Sequence, residues 1–244
     1  MNRFGEADDP RRRLLIQALA AGLFSTGWPG GRAMALEIFG RPPTKLPPGQ
    51  SIYRISGTAT VNGNPATLKT AVGPNDTVET AKDGEIVFAV GDNAFILRGG
   101  SRVALQAAQK DSALVSAMRL LTGALLSVFA PGRPNRITTQ TATIGIRGTG
   151  LYLESDPEQT YFCTCYGVAE VTANNDPESK DTVVSQHHDK PLYILAAAKP
   201  GESIRKAGFI NHTDQELMLI ETLVGRTPPF VFPAGTYKAP RRDY

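Results

Sequence analysis

Through the middle of the chain apolar and polar residues alternate with the two-residue period of β-strands. Thr58-Ala59-Thr60-Val61 runs into Asn62-Gly63, a pair suited to the type I′ turn of a tight hairpin. Residues 76–80 form a short alternating strand. Residues 85–90 and 93–98 read as two strands joined at Gly91-Asp92, and residues 101–106 as another. Residues 113–130 carry two competing periods. Leu114, Met118, Leu121 and Leu125 have helical spacing, but Thr122-Gly123 interrupts them, and residues 124–129 have the unbroken apolar character of a buried strand. Two strands are predicted here. More are predicted at residues 136–144, 149–154, 161–166, 168–172 and 182–186. About ten short strands with frequent turn signals predict an all-β domain, a β-sandwich or jelly roll. No fixed-period repeat is present, which argues against a regular solenoid.

The pattern changes twice outside this region. Residues 36–50 contain Arg41-Pro42-Pro43 and Leu46-Pro47-Pro48-Gly49, and proline's fixed φ and missing N–H predict an extended lead-in. Near the other end, Thr213-Asp214-Gln215-Glu216 has the form of a helix capping box. Leu217, Ile220, Leu223 and Val224 then form one apolar helical face, Gly225 ends it, and Pro228-Pro229 forbids continuation. One helix over about residues 214–224 is predicted, docked on the β domain within an extension spanning 176–244.

Composition supports many turns, with 24 Gly and 18 Pro in 244 residues. A chain of this length builds a core without a disulfide scaffold. The net charge is +3, and the first 35 residues carry five Arg against three acids, so the remainder is close to neutral. That balance gives no reason to expect nucleic acid or an anionic membrane as partner. Residues 1–35 have the parts of an export signal: Arg11-Arg12-Arg13, an apolar run over residues 14–24, and Ala33-Met34-Ala35 as a cleavage site. The run is shorter than the roughly 20 residues that span a bilayer. Arg11 and Arg12 ahead of a mild, alanine-rich run resemble a twin-arginine signal, with Pro10 departing from that pattern. The expectation is a periplasmic or otherwise exported protein with no transmembrane span in the mature chain.

Four segments in order carry a family resemblance. They are residues 57–63, residues 76–80 followed by Gly84 and Phe88, residues 123–126, and Ala142-Thr143-Ile144-Gly145-Ile146-Arg147-Gly148-Thr149. Across residues 51–175 the chain resembles the FecR domain family, named for the iron-dicitrate regulator. The resemblance implies a periplasmic β-sandwich module that binds partners or signals, without catalysis. The named regulator has a cytoplasmic region and a membrane span ahead of that module. Here only 13 residues precede the apolar run, so the resemblance implies a free-standing exported form. Within the motif, Gly145 and Gly148 suit a bulge or close backbone approach. Arg147 suits carbonyls or a carboxylate across the turn, or a partner.

Chemistry is concentrated in Cys163-Thr164-Cys165 and the three histidines His187, His188 and His212. Two residues apart on a strand, both cysteines face one way. Their Cα separation of about 6.5 Å lies near the upper limit for a disulfide, so a bridge needs local distortion. Thiolates and imidazoles together suit one transition metal, Zn or alternatively Fe or Cu. The candidate ligands are Cys163, Cys165, His188 and His212, with His187 as a substitute. If His187 and His188 lie on a strand they point to opposite faces, so one of them joins the cysteines. A disulfide and unrelated free residues remain alternatives.

Enzyme signatures are sparse: no Gly-x-Ser-x-Gly, no phosphate-cradling glycine loop, no His-Glu-x-x-His, and no cupin His-x-His. The expected function is a non-catalytic binding or signalling module whose partner is another envelope or periplasmic protein. A thiol-redox or metal-dependent enzyme using Cys163 and Cys165 is one alternative. A structural envelope protein is the other.

Overall fold

The computed structural model describes residues 43–108 and 114–230. The export signal, with Arg11, Arg12, Ala33 and Ala35, lies outside the described residues, as does the lead-in before residue 43.

The described strands are β1 (Ile52–Ser56), β2 (Ala59–Val61), β3 (Asn64–Pro65), β4 (Thr77–Thr80), β5 (Glu85–Val90), β6 (Asn93–Leu97), β7 (Arg102–Ala107), β8 (Val115–Val128), β9 (Pro134–Thr138), β10 (Ala142–Ser155), β11 (Gln159–Ala173), β12 (Asp176–Ser185), β13 (Leu192–Leu195) and β14 (Ile204–Lys206). One helix, α1 (Asp214–Leu223), follows. The all-β class with a short C-terminal helix is therefore what the chain adopts. All fourteen strands join one sheet that folds over on itself.

Three long strands carry the fold. β8 pairs with β7 and β9 along its first part and with β6 and β10 along its last. β10 pairs with β9 along its first part and with β8 along its last. The early part of β11 meets β13, and its later part meets β12. An upper half-sheet (β1, β5, β6, β13, β14 and one end of each long strand) thus faces a lower one (β2, β3, β4, β7, β9, β12 and the other ends). Side chains from both halves, such as Phe88 and Phe95 above and Val78 and Val103 below, fill one core.

Alternation would fail at the crossing without bulges, because one extra residue flips the parity of every later side chain. On β10 the core residues are Ala142, Ile144 and Ile146 before the register shift at residues 147–151, and Leu151 and Leu153 after it. On β11 they change from Phe162 to Ala169, Val171 and Ala173. Gly148 makes the β10 bulge: its φ is +58°, and a Cβ there would come within 2.7 Å of the Pro131 Cα. These bulges correct the predicted strand count. Two strands are expected within residues 113–130, where the described part forms the single strand β8. Residues 161–166 and 168–172 likewise merge into β11; residues 136–144, expected as one strand, instead divide at 139–141 into β9 and the start of β10, which runs on through 149–154. The breaks signalled by glycine are bends within continuous strands.

The local signals elsewhere hold. Asn62 and Gly63 have φ of +52° and +78°, as a type I′ turn needs. Thr213 and Glu216 form the reciprocal capping box, and Leu217, Ile220, Leu223 and Val224 are buried. That face covers the outer side of the upper half-sheet, on Val87, Ala89, Ala94, Ile96, Leu126 and Val128. β5 and β6 are consequently buried on both faces. Arg98 ties the helix down through the buried carboxylate of Glu216 at 2.8 Å and Glu85 at 2.6 Å. The sheet continues beyond residue 175 through β12, β13 and β14.

The two motif glycines should respond differently to alanine. Gly148→Ala is expected to lose roughly 1–2 kcal/mol from the left-handed backbone alone, and more from the clash with Pro131. Gly145→Ala, with ordinary strand φ and only the Glu170 carbonyl oxygen at 4.0 Å, should be close to neutral. Urea unfolding of both variants measures the difference.

Candidate metal centre

The outer face of the upper half-sheet also carries the cysteines. Because β11 is extended there, Cys163 and Cys165 point the same way, into the layer beneath the C-terminal segment. Both are free and fully buried. Two later loops complete the cluster. After β12 the chain turns at residues 186–188, where the Asp189 carboxylate accepts from the Gln186 N–H at 2.6 Å and the His187 N–H at 3.3 Å. His188 has φ +55°, and its N–H donates to the Cys165 carbonyl at 2.9 Å. The second loop precedes α1. The Tyr161 hydroxyl donates to the Gly208 carbonyl at 2.9 Å, and Asn211, at φ +57°, donates from Nδ2 to Glu154 at 2.7 Å. Phe209 packs on His188 and His212, and Tyr152 stacks on His212 with ring centroids 4.5 Å apart.

Cys163, Cys165, His188 and His212 each turn one donor atom to a common centre, all within 4.8 Å of one another. The Cys163 Sγ lies 3.5 Å from His188 Nδ1, and the Cys165 Sγ lies 3.4 Å from His212 Nε2. The two nitrogens are 3.2 Å apart. A zinc ion with bonds of about 2.3 Å to sulfur and about 2.05 Å to nitrogen separates tetrahedral donors by about 3.5 Å for S–N and about 3.3 Å for N–N. The three contacts of 3.5, 3.4 and 3.2 Å match those edges.

The tautomers agree with ligation. His212 Nδ1 lies 2.6 Å from the Ile210 carbonyl and donates to it, which frees the Nε2 lone pair. His188 Nε2 donates to Asp214 Oδ1 at 3.0 Å, which frees Nδ1. A carboxylate or carbonyl behind a histidine in this manner sets the ring's orientation and raises its basicity toward a metal. Asp214 is the first residue of α1 and fully buried. Its other oxygen accepts from His187 Nε2 at 2.9 Å.

Charge is distributed unevenly among these groups. Burial opposes ionisation of Cys163, but its neighbours Cys165, His188 and His212 together outweigh it and hold that thiol well below its ordinary range. Burial, and then the neighbouring Cys163, push Cys165 well up. For His188 the burial penalty is outweighed by hydrogen bonds to Asp214 and Cys163, which raise it to about 9. His212 is lowered, chiefly by burial. Burial works against the Asp214 carboxylate, yet His188 and His187 bring it below its ordinary value. In the metal-free cluster Cys163 is thus the thiol biased toward ionisation and Cys165 the one biased against it.

The structure thus brings together all four residues of the predicted set. His187 is not among them: its side chain is one-third exposed and braces Asp214 instead. The expectation that His187 and His188 diverge to opposite strand faces is corrected. They lie on a turn, and both rings reach one carboxylate. Asp214 went unrecognised in the sequence, although a carboxylate two residues after a ligand histidine, at the start of a capped helix, was a usable signal. The motif residues Gly145, Arg147, Gly148 and Thr149 lie elsewhere, on β10. Gly148 makes the bulge, and Thr149 is buried with its hydroxyl on the Val168 carbonyl at 3.1 Å. Gly145 and Arg147 lie on the outer face of the lower half-sheet.

No family model matches the chain, and no curated protein matches it. Two crystal structures of a candidate anti-sigma factor from Parabacteroides distasonis resemble it with TM-scores of 0.44 and 0.43, at 14% and 16% identity. They cover 60% of this chain and 73% and 74% of theirs.

Two outcomes follow. Asp214→Asn should weaken metal binding roughly 10–100-fold in chelator competition, because His188 loses its carboxylate support. Metal uptake at pH 7 should release about two protons, from Cys165 and from His188 Nδ1, since both hold them below their raised pKa values. Apparent affinity therefore falls as pH falls. Calorimetry in buffers of different ionisation enthalpy counts the protons.

Proposed function

We propose that this chain is an exported, non-catalytic binding and signalling protein of the FecR-domain type, whose C-terminal helix is fastened to the β domain by one structural zinc ion. One observation carries the zinc reading: four buried donors, two sulfurs and two nitrogens, lie within 4.8 Å of one another, with two sulfur–nitrogen contacts and the nitrogen–nitrogen contact at the edge lengths of a tetrahedral zinc site. In a two-iron cluster the cysteine and histidine pairs would sit on separate irons. Here the sulfur–nitrogen contacts are nearly as short as the nitrogen–nitrogen contact, which favours one ion. Two thiolates and two imidazoles in a four-coordinate tetrahedral arrangement are a standard structural zinc donor set.

Four protein donors leave no open coordination position, and a catalytic zinc keeps one. The His188 side chain is 5% exposed and the other three residues are fully buried, so a substrate has no approach. The role that fits is mechanical. Two ligands lie on β11, one follows β12 and one precedes α1, so the ion would tie the sheet to the lid on its outer face. The resemblance across residues 51–175 supports the binding role, and an envelope or periplasmic protein is the partner it suggests. Export rests on the signal-like residues 1–35. Among the described residues no helix is long and apolar enough to cross a membrane.

Elemental analysis with thiol titration tests the centre. About one zinc per chain is expected, with both cysteines unreactive until chelation. The Cys163→Ser/Cys165→Ser variant should lose the metal and unfold more easily, by about 4 kcal/mol where metal stands at about 1,000 times its Kd. Metal binding unchanged in that variant would sink the site. A metal-free protein with a Cys163–Cys165 disulfide would favour a thiol couple instead.

A further inference from the structure

The lower half-sheet has an outer face that no described element covers, and its register sets three rows of side chains. Arg119, Thr138, Thr143, Thr172 and Lys180 stand side by side across β8 to β12. Ala117, Arg136, Gly145, Glu170 and Thr182 form the next row. Pro134, Arg147, Val168 and Val184 form the third. Arg119, Arg136, Arg147 and Lys180 are exposed, with Glu170 the one acid in these rows. Arg119, Arg136 and Arg147 have no ion-pair partner among the described residues.

These arginines lie on a diagonal, each one strand across and two residues along from the last. Diagonal neighbours on a sheet are about 7–8 Å apart. That is the separation of their backbone positions. It is close to the roughly 7 Å between alternate residues of an extended peptide. Beside the diagonal a trough of about 450 Å³ opens at Gly145, between Arg136 and Glu170. Asn135 also lines it, and its buried Oδ1 has no hydrogen-bond partner among the described residues. Val168 and Val184, 38% and 69% exposed, form an apolar shoulder next to Arg147.

The fold does not require glycine at 145. Its φ is ordinary, and a Cβ would have room. What the missing side chain provides is the floor of the trough. Arg147, two residues further along β10, likewise has no hydrogen-bond or ion-pair partner among the described residues, whereas Gly148 makes the bulge and Thr149 is hydrogen-bonded.

We propose that this trough docks an acidic, extended segment of a partner protein, lying over Gly145 with carboxylates at alternate positions on the arginine diagonal. This rests on the reading of the chain as a binding module and assigns that module its partner's chemistry. Guanidinium groups pair with carboxylates in a planar, two-point manner, so the diagonal selects for spacing as well as charge. Glu170 repels a carboxylate on the far side of the trough, which sets the register. The apolar shoulder takes a neighbouring apolar side chain.

The test uses the full chain and a fluorescent octapeptide of alternating Glu and Thr, followed by anisotropy. Binding is expected, with an alternating Lys and Thr octapeptide at least tenfold weaker. Gly145→Val, which fills the trough without changing charge, should weaken binding at least tenfold. Arg136→Ala/Arg147→Ala should do the same, and being on the surface it remains informative if the glycine variant folds poorly. Lys206→Ala on β14 should bind as wild type. Equal binding by Gly145→Val and wild type overturns the docking site. So does an equal loss with Lys206→Ala, which would mean diffuse charge attraction. Displacement of the peptide by millimolar inorganic phosphate at matched ionic strength also overturns it, in favour of a small-anion site. Zinc content is read on the same samples: absent peptide binding with the metal intact sinks the trough and leaves the metal centre standing.

Discussion

The constraint on which this structure depends is an apolar sheet surface on the wrong side. The upper half-sheet buries one face in the core, and its other face is apolar too, so water must be kept from both. β5 and β6 accordingly read as near-continuous apolar runs, as strands covered on both faces do. A lid is obligatory, and α1 with the loop before it supplies one. The capping box makes the helix begin at Asp214, which brings His212 and Asp214 over β11 together.

Under that lid lies a polar cluster whose burial would be costly if its members were not satisfied by one another. His212 is held by the Ile210 carbonyl, His188 by Asp214, and Asp214 by two histidines. What remains at the centre is two nitrogen lone pairs and two sulfurs, a combination whose best common partner is a cation. Arg98 performs a related task nearby, joining Glu85 on the sheet to Glu216 on the helix. The lid is thus held by apolar contact, by ion pairing and by the Cys/His centre. Among the described residues the two outer faces of the sheet contrast: one is closed over a buried centre, and the other is open, charged and floored by glycine.

Some of this was legible in the residues themselves. Asn62-Gly63, the Thr213–Glu216 capping box and the one-sided helix are local, and each turned out as its local physics required. Cys163 and Cys165 on one strand face followed from the two-residue period alone. The long strands were not legible, because a glycine that bends a strand and a glycine that ends one look the same in sequence. Only neighbouring backbone supplying hydrogen bonds on both sides of Gly123 or Gly148 separates the cases. The roles of His187 and His188 were hidden for a similar reason: a strand sends adjacent side chains apart, whereas the turn capped by Asp189 lets both reach Asp214.

By itself, then, the sequence determined the all-β class, the capped helix and its apolar face, and which four side chains had the chemistry to share a centre. Tertiary structure decided that they meet. It decided that Asp214 stands behind His188, and that Arg119, Arg136 and Arg147 from three separate strands fall on one diagonal. Period and capping are set by neighbours a few residues away. Convergence across 25 or 47 residues depends on strand register and on the bulges that keep it in phase.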